Sequence, residues 1–384
     1  MLGEGHLSRL VCTLALLMLV SAACTPPGIP AGSVPPAAAS STLSDDVLAA
    51  ELGAYMDQQA ANLSFSGAAL VARRGHILLL NGYGAADRRW KRPNTANTQF
   101  RIASISKEFT AVAVLLLQAR GKLDVHDRMC AYVPNCPPAW ADITVHQLLV
   151  HTSGIHDLYE QPGYTAWQAT PAAPAEVMQH YIDLPLDFPP GQSWRYSDSG
   201  YQLLGQIVER VSGLPYGQFL EEKIFRPLGM THTGILGATH LALGYNNCCD
   251  LVPAETSDPT VDFASGDLYS TVGDLYAWDQ ALFNDRFLSP DLRERAFTPY
   301  ETMTDVGGLR GVSSGMSYGY GSIVGDMCGH RLVGHTGILD GYSSLNFYFP
   351  DLQVAVILLE NRRNPPVTSS MVIELVSMVF RPTD

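Results

Sequence analysis

The chain has 384 residues, 46% of them hydrophobic, enough apolar content to bury one large domain or two lobes and too much for a disordered chain. Its 24 Lys and Arg against 37 Asp and Glu leave a formal net charge of −13. A polyanion such as DNA or RNA would meet a repulsive average field, so no nucleic-acid partner is expected.

In chain order, a cationic start at Arg9, an apolar run from Leu10 to Val20 and small residues from Ser21 to Ala23 predict an export signal over 1–23. The apolar run is about half of the ~20 residues a spanning helix needs, so no permanent membrane span is expected. Cys24 follows directly and leaves two readings open. One is simple cleavage after Ala23; the other is lipidation of Cys24, which would make a lipid anchor the sole membrane contact. Residues 24–42 are rich in Pro, Ala and Ser without a periodic apolar face and predict a tether. The expected location is the periplasm or cell envelope.

The folded body is expected over 43–384. A helix is predicted from Leu43 to about Gln59, where Val47, Leu48, Leu52 and Tyr55 recur at helical spacing. The stretch GAALVARRGHILLLNGYGAADR predicts two β-segments hinged at Arg74-Gly75. Residues of about 124–264 carry mostly helical patterns, such as VHQLLVHTSG and SGYQLLGQIVERVSG. From His330 the β-signal returns in HRLVGHTG, YSSLNFYF and LQVAVILLEN, and the amphipathic VTSSMVIELVSMVF closes the chain. Strands near both ends flanking a helical middle predict an α/β (α+β) fold: one antiparallel sheet assembled from both chain ends, with flanking helices and an inserted, mostly helical lobe.

Besides Cys12 and Cys24, the seven cysteines comprise Cys130, Cys136, Cys248, Cys249 and Cys328. In an oxidising compartment Cys130 and Cys136 could bridge a short loop and Cys328 could pair with Cys248 or Cys249, leaving one thiol free. A zinc site is the rival use of these residues, but no CxxC pair or HExxH helix is present. No metal and no organic cofactor is expected.

Three motifs bear on chemistry. In RIASISKEFTAVAVLLLQARG, Ser104 and Lys107 are three apart on a helical pattern and share a face. A serine hydroxyl needs an activating partner, and a lysine buried in so apolar a helix loses its preference for the charged form. The bland alternative is a Ser N-cap with a lysine that snorkels to the surface. In WRYSDSGYQLLG, Tyr196 precedes a new helix; beside a cationic lysine its hydroxyl could be held as, or readily become, phenolate, and so act as general base and later as acid to the leaving group. In VGHTGILDGYSS, His335 and Gly337 lie on a strand where glycine permits a close approach of backbone to ligand.

Ser-x-x-Lys, Tyr-x-Asp and His-x-Gly in this order resemble the motif series of penicillin-recognising serine hydrolases, in particular the class C β-lactamase-like family, with its D,D-peptidases, D-aminopeptidases and esterases. GKLDVHDRMCAYVP, ITVHQLLVHTSGI, FRPLGMTHT and GDLYSTVGDLYAW resemble its framework segments, and the resemblance spans about 43–380. It implies a β-lactamase/transpeptidase-like fold and a covalent acyl-enzyme. Ser104 would be the nucleophile, Lys107 its activator and Tyr196 the proton shuttle, with His335 positioning substrate. An oxyanion hole would come from the backbone N–H groups of Ser104 and Ile338, next to Gly337. The implied substrates are small molecules or peptides: a β-lactam, a D-amino-acid peptide or an ester, with peptidoglycan as a possible partner.

Two positions depart from the family pattern. Asp198 stands where the family usually has Asn, and an ionised carboxylate accepts hydrogen bonds without donating any, which disfavours acylamido substrates. His335 replaces the usual lysine of the class C β-lactamases and binds a carboxylate less strongly, which points toward peptidase, amidase or esterase relatives. A non-catalytic binding protein of the cell envelope is the rival class of function, and retention of Ser104, Lys107 and Tyr196 together weighs against it. Gly311-x-Ser313-x-Gly315 matches a hydrolase elbow literally, but neither a strand precedes it nor a helix follows. His146, His151 and His156 share no helix face and predict no metal site. Trp194 is open between lining a cleft and packing the lobes together.

Overall fold

The computed structural model describes residues 44–247, 250–283, 287–303, 316–363 and 369–381. The export signal, Cys24, the tether, Cys248, Cys249 and the 311–315 elbow match lie outside the described residues.

Helix α1, Asp45–Ala61, starts where the Ser44 side chain accepts the Val47 amide, and it buries Leu48, Leu52 and Met56. Strands β1 (Gly67–Arg73) and β2 (His76–Tyr83) form a hairpin. Arg74 and Gly75 both take positive φ, +52° and +82°, the backbone that a two-residue hairpin turn demands. Six further strands complete the sheet: β3 (Glu301–Thr302), β4 (Ser317–Tyr318), β5 (Ile323–Met327), β6 (His330–Leu339), β7 (Tyr342–Phe349) and β8 (Val354–Glu360). The order is β2-β1-β8-β7-β6-β5-β4-β3, with every neighbouring pair antiparallel. The expected sheet from both chain ends is therefore present.

Both faces of its centre are covered. On β1 and β8, Ala68, Leu70, Ala355, Ile357 and Leu359 join one core, while Ala69, Val71, Val354, Val356 and Leu358 join a second. This period of two assigns alternate side chains to opposite layers. The second core is closed by α1 and the C-terminal helix Ser369–Phe380 through Met371, Val372 and Leu375. The first holds α2 (Ser106–Ala119), α3 (Asp198–Ser212), α4 (Pro259–Gly266) and α5 (Val272–Leu282). Helix α2 is buried almost all round, from Ser106 to Leu115 and again at Leu117, as befits a helix between a sheet and other helices.

Cys130 and Cys136 are joined by a disulfide, as expected, with Cα atoms 5.4 Å apart. Cys328 is also disulfide-bonded. Among the described residues no helix is long and apolar enough to cross a membrane.

Candidate active site

Ser104 lies in a single 3₁₀ turn, Ala103–Ile105, just ahead of α2. It makes no capping hydrogen bond to the helix, so the N-cap reading fails. Ala103 has φ +49°, a conformation that costs a non-glycine residue energy and persists only where the surroundings hold it. Those surroundings are visible. The Ile102 amide donates to Leu268 O at 2.9 Å, and Ser344 Oγ donates to Ile102 O at 2.7 Å. Strand β6 presses on the turn at Gly337, where an added Cβ would stand 2.3 Å from Ile102 O and 2.9 Å from Ala103 Cβ. The glycine thus admits the nucleophile's own turn. Beyond Gly334, β6 has no partner strand on its β5 side among the described residues, and this part of the strand, including half-buried Ile338, packs against the Ser104 turn.

Lys107 is fully buried, which excludes the snorkelling reading. Its Nζ donates to Ser104 Oγ at 3.0 Å, to Asp198 Oδ1 at 2.5 Å and to Ser265 O at 2.8 Å. Three donations require three N–H bonds, which an ammonium has and a neutral amine lacks. The buried amine thus has the Asp198 carboxylate against it, the counter-charge that a buried ion requires.

Asp198 is the first residue of α3, whose N-cap Ser197 accepts the Gly200 amide at 3.3 Å. The Asp198 amide donates to Asp157 Oδ2 at 2.5 Å, and Tyr159 N donates to Asp157 Oδ1 at 2.7 Å. Burial first, then the negative Asp198 nearby, pushes the Asp157 carboxyl well above the usual carboxylate range. Lys107 thus faces the Asp198 carboxyl directly, with the Asp157 carboxyl behind it.

Tyr196 holds its ring 4.9 Å from Lys107 Nζ. Its hydroxyl is buried and has no hydrogen-bond partner, although the Ser104 side chain lies near enough to favour ionisation slightly. Burial and the Asp198 charge outweigh that help and hold the phenol well above its ordinary value. Burial, the larger cause, together with the Asp198 charge favours the neutral phenol over the phenolate.

His335 also differs from expectation. It is fully buried, Nδ1–H donates to Thr336 O at 2.5 Å, and Nε2 accepts from Tyr318 Oη at 2.9 Å. Burial and the positive Lys107 lower its pKa to about 3. With both nitrogens engaged, this neutral ring orients Tyr318 and offers no free atom to a substrate. Trp194 is buried against His151 and Tyr318, which favours its packing reading. The three histidines go separate ways: His146 pairs with Tyr320 and His156 with Asp187, while His151 enters this site. Sequence reasoning missed Asp157, Ser265 and Tyr318 altogether. Asp157 stands just after the singled-out HTSGI segment, the one signal that pointed toward it.

A half-buried serine touched by a buried lysine, with a tyrosine hydroxyl left unpaired beside them, defines a serine hydrolase site. The beta-lactamase family model matches residues 52–375, and the chain belongs to that family. It is 31% identical over 322 residues to penicillin-binding protein 4* of Bacillus subtilis, covering 78% of this chain and 68% of that one. Esterase EstB of Burkholderia gladioli is 28% identical over 380 residues, covering 87% and 95%. Among solved structures, the penicillin-binding protein homologue of Pyrococcus abyssi superposes with a TM-score of 0.75 at 27% identity, covering 86% of this chain and 77% of that one. The D-amino acid amidase of Ochrobactrum anthropi reaches 0.75 at 23% identity, covering 86% and 98%, and shares the fold.

Proposed function

We propose that the protein is an exported hydrolase of esters or amides that forms a covalent acyl-enzyme on Ser104. The observation that carries this is the contact of Lys107 Nζ with Ser104 Oγ, held by Asp198 and Ser265 on the other side of the amine. Because Ser104 Oγ accepts from Lys107, its own proton is free to leave toward Tyr196 Oη. A neutral tyrosine then works as a relay. As Oγ attacks the carbonyl carbon, the serine proton passes to Tyr196 Oη, and the phenolic proton passes to the departing oxygen or nitrogen. In deacylation, water gives its proton to Tyr196, which returns one to Ser104 Oγ. Amide groups of Ser104 and Ile338 would receive the oxyanion.

The substrate class follows from charge. Lys107 is paired to Asp198 and His335 is neutral and sealed, so neither offers a free cation to a substrate carboxylate. That supports simple acyl esters and amides over β-lactams and over peptides read by their C-terminal carboxylate. The likeness to esterase EstB, over nearly all of that protein's length, supports the same choice. Export is supported by the signal-like 1–23 segment and by the Cys130–Cys136 disulfide, a bond at home in oxidising compartments.

The test is incubation with p-nitrophenyl acetate, a penicillin and a D-Ala-D-Ala peptide, following turnover and intact mass together. An acyl adduct on Ser104, with the ester turned over fastest and Ser104→Ala inert, is the expected result. An adduct that survives Ser104→Ala would sink the assignment. No adduct or turnover with any of the three would favour a binding protein.

A further inference from the structure

His151 is the residue that the proposed chemistry leaves unused although it lies against the centre of the site. It follows the short helix Val145–Leu149 and has φ +63°, a backbone that few residues other than Gly, Asn and Asp adopt readily. Its carbonyl accepts the Arg195 amide at 3.0 Å, and its Nδ1 accepts the Ser197 amide at 3.1 Å. The two backbone amides that flank Tyr196 therefore end on one residue. The same residue lays its ring against the Tyr196 ring, with centroids 4.3 Å apart and planes inclined by 36°. Tyr318 at 4.6 Å and Tyr201 at 5.2 Å close other sides of the imidazole, and His151 is 1% exposed.

We propose that His151 is the positioning residue of Tyr196, fixing its backbone from both sides and its ring from one face so that the hydroxyl stays aimed at Ser104. The inference rests on Tyr196 being the proton shuttle. The clamp needs Nδ1 unprotonated, which places the ring proton on Nε2. Burial, Lys107 and His335 push the imidazole well below its ordinary pKa, so the acceptor persists at neutral pH. With Ser104 the side chain near its hydroxyl, and no geometric hydrogen bond there among the described residues, the tyrosine ring depends on such outside support.

Two substitutions separate the parts of the clamp. His151→Asn tolerates the positive φ and keeps an acceptor near the Nδ1 position, but loses the ring. His151→Phe keeps a ring and loses the acceptor. Each is made in the wild type and in Tyr196→Phe, and kcat and KM are measured on p-nitrophenyl acetate alongside the melting temperature. Loss of aim without loss of binding predicts that His151→Phe lowers kcat by about 10²-fold with KM unchanged. His151→Asn should lose less, and neither should lower kcat further in the Tyr196→Phe background. Equal fold-losses in both backgrounds, or wild-type kcat in both His151 variants, would overturn the positioning role while leaving Tyr196 in place. Full activity of Tyr196→Phe would instead overturn the shuttle and the inference together, as would a wild type inert to the ester. If His151→Phe does not fold, the His151→Asn cycle decides alone by the same criterion.

Discussion

Lys107 and Asp198 show how one exchange of residue type can reset a site. The Asp198 carboxylate accepts from Lys107 Nζ at 2.5 Å at a buried place, and after burial itself its charge is the next cause that holds the Tyr196 phenol above its ordinary value. A carboxylate donates nothing to a substrate, whereas an amide at the same position could accept from Lys107 and still donate to an acylamido carbonyl. Asp198→Asn is therefore expected to raise kcat/KM for a penicillin relative to that for p-nitrophenyl acetate. The ratio is read from steady-state rates with both substrates. An unchanged ratio would mean that position 198 does not select between them. The variant should also melt lower, because it leaves a buried ammonium without its counter-charge.

At the scale of elements, the site exists because β6 meets the Ser104 turn closely. Gly337→Ala would put a methyl group 2.3 Å from Ile102 O, 2.4 Å from Ser344 Oγ and 2.9 Å from Ala103 Cβ. Neither backbone oxygen nor turn can yield without moving the residue next to the nucleophile. Such overpacking costs about 1–3 kcal/mol of stability, and a displacement approaching 1 Å costs roughly 10²-fold in rate. Acylation of Gly337→Ala, timed by intact mass, should be slowed by that order; a wild-type rate with only a lower melting temperature would show that the turn adjusts. The sequence pattern made this element readable as a strand and marked Gly337 as a point of close approach. It assigned that approach to a ligand, whereas the turn at Ile102 and Ala103 is what lies against Gly337, because β6 and the Ser104 turn are more than 200 residues apart and no local periodicity records their contact. The alternating β1 and β8 and the Ser-x-x-Lys spacing were legible for the opposite reason: each follows from side-chain direction within one element. His151, Asp157 and the neutral state of Tyr196 were not, since they depend on a turn with positive φ and on burial that the whole fold creates.

At the scale of the whole molecule, two buried carboxyls and an amide link distant parts of the chain. Glu108 on α2, Asp279 on α5 and Asn346 on β7 join three distant parts of the chain. Glu108 Oε2 accepts from Trp278 Nε1 at 2.8 Å and from Asn346 Nδ2 at 3.4 Å, and Asp279 Oδ1 accepts from the same amide at 2.8 Å. Glu108 Oε1 and Asp279 Oδ2 have no partner. Burial pushes Asp279 up to about 8, and burial together with Asp279 pushes Glu108 well above its usual range. Both carboxyls hold their protons more tightly folded than unfolded. The stability this provides is full below the unfolded-state values near ~4 and is lost as pH climbs toward the folded values. Stability should therefore fall as pH rises from about 5 to 9, by about a few kcal/mol, and the melting temperature with it. Glu108→Gln combined with Asp279→Asn removes the ionisation while keeping acceptors for Trp278 and Asn346, and should flatten that slope. Scanning calorimetry across the range decides it. A double variant with the wild-type slope would place the alkaline instability in the other carboxyls that burial pushes up, Asp157, Asp267 and Glu360, whereas a flattened slope assigns it to two carboxyls that tie α2, α5 and the sheet together only while they keep their protons.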